Sequence, residues 1–266
     1  MSSTLTAPLS EPRLRERHAH RLLGVTIDVV DMEQAIERLL ELGQSSQTHI
    51  VVTPNVDHLV MVQRDAEFAD VYRRASLVVA DGQPVVWASR FLNKPLPERV
   101  AGSDLMPRSV VEAARRGLRY FFLGGPPGDG QRAAEILAAR AGADGLCGID
   151  CPPLGFEHDP DYMRGLIERI NAAQPHLLYV ALGSPKGEKL LGQLQGVIDH
   201  GAMISVGATF SFVAGTIKRA PRWMQRIGIE WLWRLLLEPR RLWRRYAGNL
   251  WIFPRLVLRE KFERVS

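Results

Sequence analysis

Three residues near two apolar runs have the types and spacing to do chemistry. In "VVTPN", Thr53 and Asn55 put a hydroxyl and an amide on a proline-stiffened turn, a pair suited to holding a sugar or a base edge. In "VVADG", Asp81 directly follows a run of buried-type residues. A carboxylate so placed faces a crevice with partial desolvation, which raises its basicity and suits a general base. From the pattern alone a turn or cap aspartate fits the same position. Gly82 follows it and joins the candidate binding set. Further on, "LGSPKGEK" offers Ser184, Lys186 and Glu188, with backbone N–H groups and a lysine that suit a diphosphate. "FFLGGPPGDG" resembles a phosphate-cradling glycine loop, because it follows an apolar run and precedes a helical pattern. It is neither G-x-G-x-x-G nor a P-loop, and a plain turn explains it equally well. "HDPD" at 158–161 imitates a D-x-D metal signature, but its proline and its place before a helix favour capping. His58 and His176 flank apolar segments and read as structural. No metal site and no cofactor is expected.

These residues need elements to position them. Segments 49–55, 75–82, 119–125, 176–185 and 202–209 read as buried strands ending in turn residues. "LLGVTID" with a shorter neighbour suggests an edge or hairpin. Helix-length patterns lie near 32–42, 57–74, 102–116, 129–141, 160–172 and 187–199, with Asp57 and Ser103 as candidate caps. The alternation predicts an α/β fold: a Rossmann-like, mainly parallel sheet flanked by helices, followed by a C-terminal basic helical appendage. In such sheets ligands collect outside the carboxyl ends of the strands, where "TPN", "ADG", "LGGPPG" and "LGSPKG" all fall. The expected organisation is a flexible arm at 1–20, an α/β domain at 21–217 and the appendage at 218–266.

The 266-residue chain carries net charge +5, unevenly distributed. From Lys218 to Ser266 there are 13 Lys/Arg against 4 Asp/Glu, and the preceding 217 residues hold 21 against 25. Five of the six tryptophans (Trp223, Trp231, Trp233, Trp243 and Trp251) lie in the same basic tail. A mildly acidic body with a basic, aromatic tail seeks phosphate-rich partners, a nucleic acid or an anionic membrane. Cys147 and Cys151, in "CGIDC", read as a reduced structural pair rather than a disulfide or a zinc site. The polar N-terminus has no stretch of signal-peptide length, and no run reaches the roughly 18 apolar residues of a membrane span. The expectation is a cytoplasmic protein that attaches peripherally to the inner face of the membrane.

Taken in order, "TPNVDHLVMVQRD", "ADGQPVVWASR", "PERVAGSDL", "YVALGSPKGEK", "ISVGATFSFVAG", "RAPRWMQRIGIEWLWRL" and "EPRRLWRRY" resemble the WecG/TagA/CpsF family of bacterial glycosyltransferases. The match spans about 50 to 246, and the combination is specific although each part alone is not. The resemblance implies a metal-independent, inverting enzyme. It would move a hexose, N-acetylmannosamine or its uronic acid, from a UDP-sugar donor to a polyprenyl-diphosphate-linked saccharide in surface or exopolysaccharide biosynthesis. It also implies roles: Asp81 as the catalytic base, Arg99 as an active-site arginine, and Thr53 and Asn55 in the sugar and acceptor pocket. Arg234, Arg241 and Arg244 would be appendage arginines that reach the donor diphosphate. Two positions depart from the family pattern. Gly187 stands where Gln is usual and Ser211 where Asp is common. The missing amide bears on sugar identity more than on reaction class, and UDP-glucose transfer is the alternative.

A basic-tailed nucleic-acid-binding module is the competing class, but the tail has no reading motif and the body is net acidic. A nucleotide-cofactor oxidoreductase lacks any dinucleotide fingerprint. No nucleic acid is therefore expected as a partner, and homo-oligomerisation stays open.

Overall fold

The computed structural model describes residues 17–263 except 227 and 238, and leaves out the side chains of 222, 226, 234, 241, 242, 244 and 245. The described chain opens with an antiparallel hairpin, β1 (Ala19–Leu22) and β2 (Val25–Asp28), separate from the main sheet. Leu23 and Gly24 turn it with φ of 49° and 83°. That positive pair is what a two-residue type I′ hairpin requires, and glycine meets it without strain.

The main sheet contains β3 (Thr48–Val52), β4 (Leu77–Val78), β5 (Tyr120–Gly124), β6 (Leu146–Asp150), β7 (Leu177–Ala181) and β8 (Gly201–Ser205). Its order is β4-β3-β8-β7-β5-β6, and every neighbouring pair is parallel. The connecting helices are α1 (Met32–Gly43), α2 (Val56–Met61), α3 (Ala66–Arg74), α4 (Gln83–Phe91), α5 (Gly102–Arg115), α6 (Asp129–Ala141), α7 (Pro160–Ala173), α8 (Lys186–Leu194) and α9 (Thr209–Ala214). Three more, α10 (Arg222–Arg226), α11 (Glu230–Leu237) and α12 (Pro239–Phe262), carry the C-terminal segment.

Strand periodicity divides the core in two. Phe121, Leu123, Leu178 and Val180 enter one apolar cluster, while Tyr120, Phe122, Leu177 and Tyr179 enter the other. Successive side chains point to opposite faces, so a strand covered on both sides must be apolar throughout. This is why the central strands read as unbroken hydrophobic runs. The chain leaves β3 towards one edge and β5 towards the other, so the order reverses between them and opens a crevice at the carboxyl ends.

Several boundaries differ from those expected. The 57–74 pattern is two helices, α2 and α3, because Asp65 starts a new one by accepting from the Phe68 N–H at 3.0 Å. Asn55, not Asp57, caps α2, and Ser103 lies inside the first turn of α5, whose N-cap is Ala101. Helices α4 and α9 and strand β6 were not anticipated. β6 contains most of "CGIDC"; every residue of it is half-buried, as befits an edge strand without a continuous apolar run. Both thiols are free, Cys147 half-buried and Cys151 exposed.

The last helix does not stand away from the body. α12 buries Phe253 and Val257 in the core cluster that also holds Leu23, Leu59 and Val60. Near its end Glu260 pairs with Lys94 at 2.6 Å and accepts from the Leu23 N–H at 2.5 Å, which fastens the hairpin to the tail. Among the described residues, no helix is long and apolar enough to cross a membrane.

Candidate active site

The tips of β3 and β4 are stitched by backbone hydrogen bonds. Val79 N–H donates to Val52 O at 3.0 Å, Asp81 N–H to Pro54 O at 2.9 Å, and Val100 N–H to Ala80 O at 2.9 Å. This stitching fixes Thr53, Asn55 and Asp81 relative to one another. A methyl group placed on Gly102 would lie 3.1 Å from Thr53 Oγ1 and 3.7 Å from Asp81 Oδ2, so hydroxyl and carboxylate converge on the first turn of α5. Thr53 is buried there, and Asp81 is half-buried. Gly82, the N-cap of α4, lies against Asn55, and neither Gly82 nor Ala101 supplies a side-chain cap. Two helix N-termini without side-chain caps therefore open beside Asp81, where positive helix ends favour anionic groups.

Asn55 has a second job. Its Oδ1 accepts from the N–H groups of Asp57 and His58 at 3.0 and 3.2 Å. That fixes the orientation of the amide and leaves its NH2 end as the group to offer a ligand. Below it, Tyr72 Oη and His58 Nδ1 are 2.9 Å apart in a buried contact. Burial, and then the charges of Glu188, Asp81 and Asp57, push the Tyr72 phenol well above its usual range, so it remains neutral. Glu188 and Asp81 thus both act on the Tyr72 phenol through their charges. Glu188 is 4% exposed, and neither its Oε2 nor Ser184 Oγ has a hydrogen-bond partner among the described residues. Each such buried atom costs about 1–3 kcal/mol until a ligand or water meets it. Lys186 is already engaged: its Nζ pairs with Glu157 at 2.8 Å and lies 5.1 Å from the Phe156 ring centroid.

Arg99 connects the site to the tail. It pairs with Glu230 at 3.2 Å and with Asp104 at 3.5 Å, and Arg219 closes the ring through both Oδ atoms of Asp104, at 2.5 and 2.8 Å, and through Glu230 at 3.2 Å. Two cations and two anions thus lock α11 onto α5, two residues past Gly102. Burial raises the Asp104 pKa, but the bonded Arg219 and the charges of Arg219, Arg99 and Arg108 outweigh it and hold the carboxyl below its ordinary range. Burial lowers that of Arg219, while Asp104 and Glu230 more than reverse the effect. A second tie is buried: Asn249 on α12 donates to Asp57 Oδ1 at 2.8 Å.

The structure thus brings together Thr53, Asn55, Asp81 and Gly82, with Arg99 one link away through Asp104 and Glu188 buried in the first turn of α8. The side chains of Arg234, Arg241 and Arg244 lie outside the described residues; their backbones belong to α11 and α12. Sequence reasoning did not single out Gly102, Asp104, Arg219 or Glu230. Glu230 did leave a signal, as the one acid between Lys218 and Leu237. His176 and "HDPD" have structural roles: His176 Nδ1 accepts from Arg119 N–H at 3.0 Å, and Asp159 caps α7.

Both departures from the family pattern have local causes. A Cβ on Gly187 would lie 2.6 Å from Ser205 Oγ, so Ser205 occupies the space a side chain there would need. Ser211 donates to buried Asp129 Oδ2 at 2.5 Å, and Thr216 to the same oxygen at 2.9 Å. An aspartate at 211 would set a second carboxylate against the first.

The family model described as "Glycosyl transferase WecG/TagA/CpsF family" matches residues 20–266. The chain belongs to this family. It is therefore a hexosyltransferase of cell-surface polysaccharide biosynthesis, with a nucleotide-sugar donor and a lipid-linked acceptor. In this WecG/TagA/CpsF chain, the crevice around Asp81 sets a carboxylate beside a hydroxyl and an amide.

Proposed function

We propose that the chain transfers an N-acetylmannosamine-type hexose, with inversion and without a metal, from a UDP-sugar to a polyprenyl-diphosphate-linked saccharide. The observation that carries this reading is the convergence of Thr53 Oγ1 and Asp81 Oδ2 on Gly102, at the carboxyl ends of β3 and β4. The acceptor hydroxyl oxygen forms a bond to the anomeric carbon from the face opposite UDP. Its proton passes to Asp81, while the bond to the UDP oxygen breaks and UDP departs with the electron pair. Thr53, Gly82 and the Asn55 amide hold the sugars, and the orphaned Ser184 and Glu188 oxygens take up ligand hydroxyls. The charge growing on the diphosphate falls to arginine, whose fork binds phosphate oxygens in pairs. Arg234, Arg241 and Arg244 are assigned that task, Arg99 sets the tail in place for it, and Lys186 contributes after exchanging Glu157. The proposed division is a catalytic body to 217, which takes in the β1–β2 hairpin from Ala19 and so moves the expected boundary at 20, and a 218–266 segment that attaches the enzyme to the cytoplasmic face of the membrane.

Thermal unfolding with a panel of UDP-sugars tests the donor. A ligand at a hundred times its Kd stabilises the fold by about 2.7 kcal/mol. UDP-N-acetylmannosamine is expected to raise Tm more than UDP-glucose does. Protection by UDP-glucose alone would move the assignment to glucose, and protection by no uridine nucleotide would end it.

A further inference from the structure

α12 has two apolar faces. One is buried through Asn249, Phe253 and Val257; the other carries Leu250, Trp251, Leu258 and Phe262, exposed by 63%, 66%, 46% and 65%. At about 100° per residue these four fall within about 120° of the helix circumference, centred about 120° from the buried residues, with Leu250 at the seam beside Val257. The stripe from Leu250 to Phe262 spans about 18 Å along the C-terminal half of α12. It does not stop at the tail. Lys261 donates to Phe91 O at 2.7 Å and lies 5.1 Å from the Phe91 ring centroid, which sets the end of α4 beside the last turns of α12. At the other end of α4, Gly228 packs directly on Gln83. Between these two contacts α4 exposes Trp87 and Phe91, one helical turn apart, at 52% and 50%.

We infer that Trp87 and Phe91 of the catalytic body form, with the outer stripe of α12, one composite face that inserts into an anionic lipid surface. This rests on the membrane reading above but extends it from the tail to the body. Cations border the face: Arg90 is exposed beside Phe91, Arg255 stacks 4.4 Å from the Trp251 ring centroid, and Lys261 joins the two helices. Aromatic and leucine side chains flanked by arginine and lysine fit the headgroup boundary, where the rings reach the acyl region and the cations meet phosphate. The consequence concerns catalysis. α4 has nine residues and starts immediately after Asp81 and Gly82, so the lipid plane is held within about 13 Å of the base, at the depth of a lipid diphosphate.

The test uses the full chain with vesicles of phosphatidylglycerol and phosphatidylcholine, and with phosphatidylcholine alone. W87S/F91S is expected to lower sedimentation with the anionic vesicles about tenfold or more, while transfer to a water-soluble acceptor in detergent stays at the wild-type level. W87F, which keeps an aromatic ring and the fold, is expected to remove a measurable share of the tryptophan quenching caused by brominated lipid. Equal partitioning of W87S/F91S and wild type, or equal quenching of W87F, overturns the composite face and leaves tail-mediated attachment standing. If W87S/F91S instead turns a dimer into a monomer with lipid binding unchanged, the face belongs to a second copy and the inference is overturned. No wild-type binding to anionic vesicles defeats the broader membrane reading as well.

Discussion

At the residue scale, the place of Asp81 at a strand tip was legible from the apolar run before it, and strand tips are where α/β folds bind ligands, but the pattern alone fitted a turn or cap aspartate as well. Its geometry was not legible. Only the pairing of β3 with β4 brings Thr53 and Asp81 together on Gly102. Asn55 was read for its amide alone, yet half of that amide caps α2. The caps assigned to Asp57 and Ser103 failed because capping depends on where a helix begins, which periodicity locates only to within a few residues. Gly187 is a position where structure explains composition. Replacing it with Gln drives a side chain into Ser205, and overpacking of this kind costs about 1–3 kcal/mol. The expected outcome in urea unfolding is a lower midpoint for Gly187→Gln, partly restored when Ser205→Gly is added. An unchanged midpoint would mean that Ser205 does not fill the site.

At the element scale, long amphipathic helices and central strands were visible from their periods, whereas β6, α4 and α9 were not. β6 is a half-buried edge with no apolar run, and the proline in "ADGQPVVWASR" disguised α4 until its place in the first turn was known. The ring of Arg99, Asp104, Arg219 and Glu230 joins segments more than a hundred residues apart, so no local pattern could announce it. Its pH behaviour follows from Asp104. A carboxyl whose folded pKa is depressed contributes stability above its unfolded value, near 3.9, and loses it as pH falls through the folded value. Limited proteolysis is therefore expected to find the α10–α11 region protected at neutral pH and cut more readily below about pH 4. In Asp104→Asn the same region should already be open at neutral pH, and equal protection in both proteins would show that the ring does not hold the tail.

At the scale of the whole molecule, charge, tryptophan content and the end of the strand–helix alternation near Gly215 divide the sequence at 218. The observed packing shows closer dependence, since α12 supplies Phe253 and Val257 to the body's core and Asn249 to Asp57. Burying two such side chains contributes about 3–6 kcal/mol, so a chain ending at 217 is expected to melt well below the intact enzyme. It should also lose transfer to a water-soluble acceptor by a hundredfold or more, because Arg99 then lacks Glu230 and the tail arginines are gone. Full activity in that truncated chain would confine the tail to membrane attachment. The role of Asp81 as the base of a sugar transfer is read from transfer between a UDP-sugar and a lipid-diphosphate saccharide by wild type and Asp81→Asn. The expected result is a rate about 10²–10⁴ lower in the variant, with thermal protection by the UDP-sugar unchanged. Wild-type transfer by Asp81→Asn would contradict it.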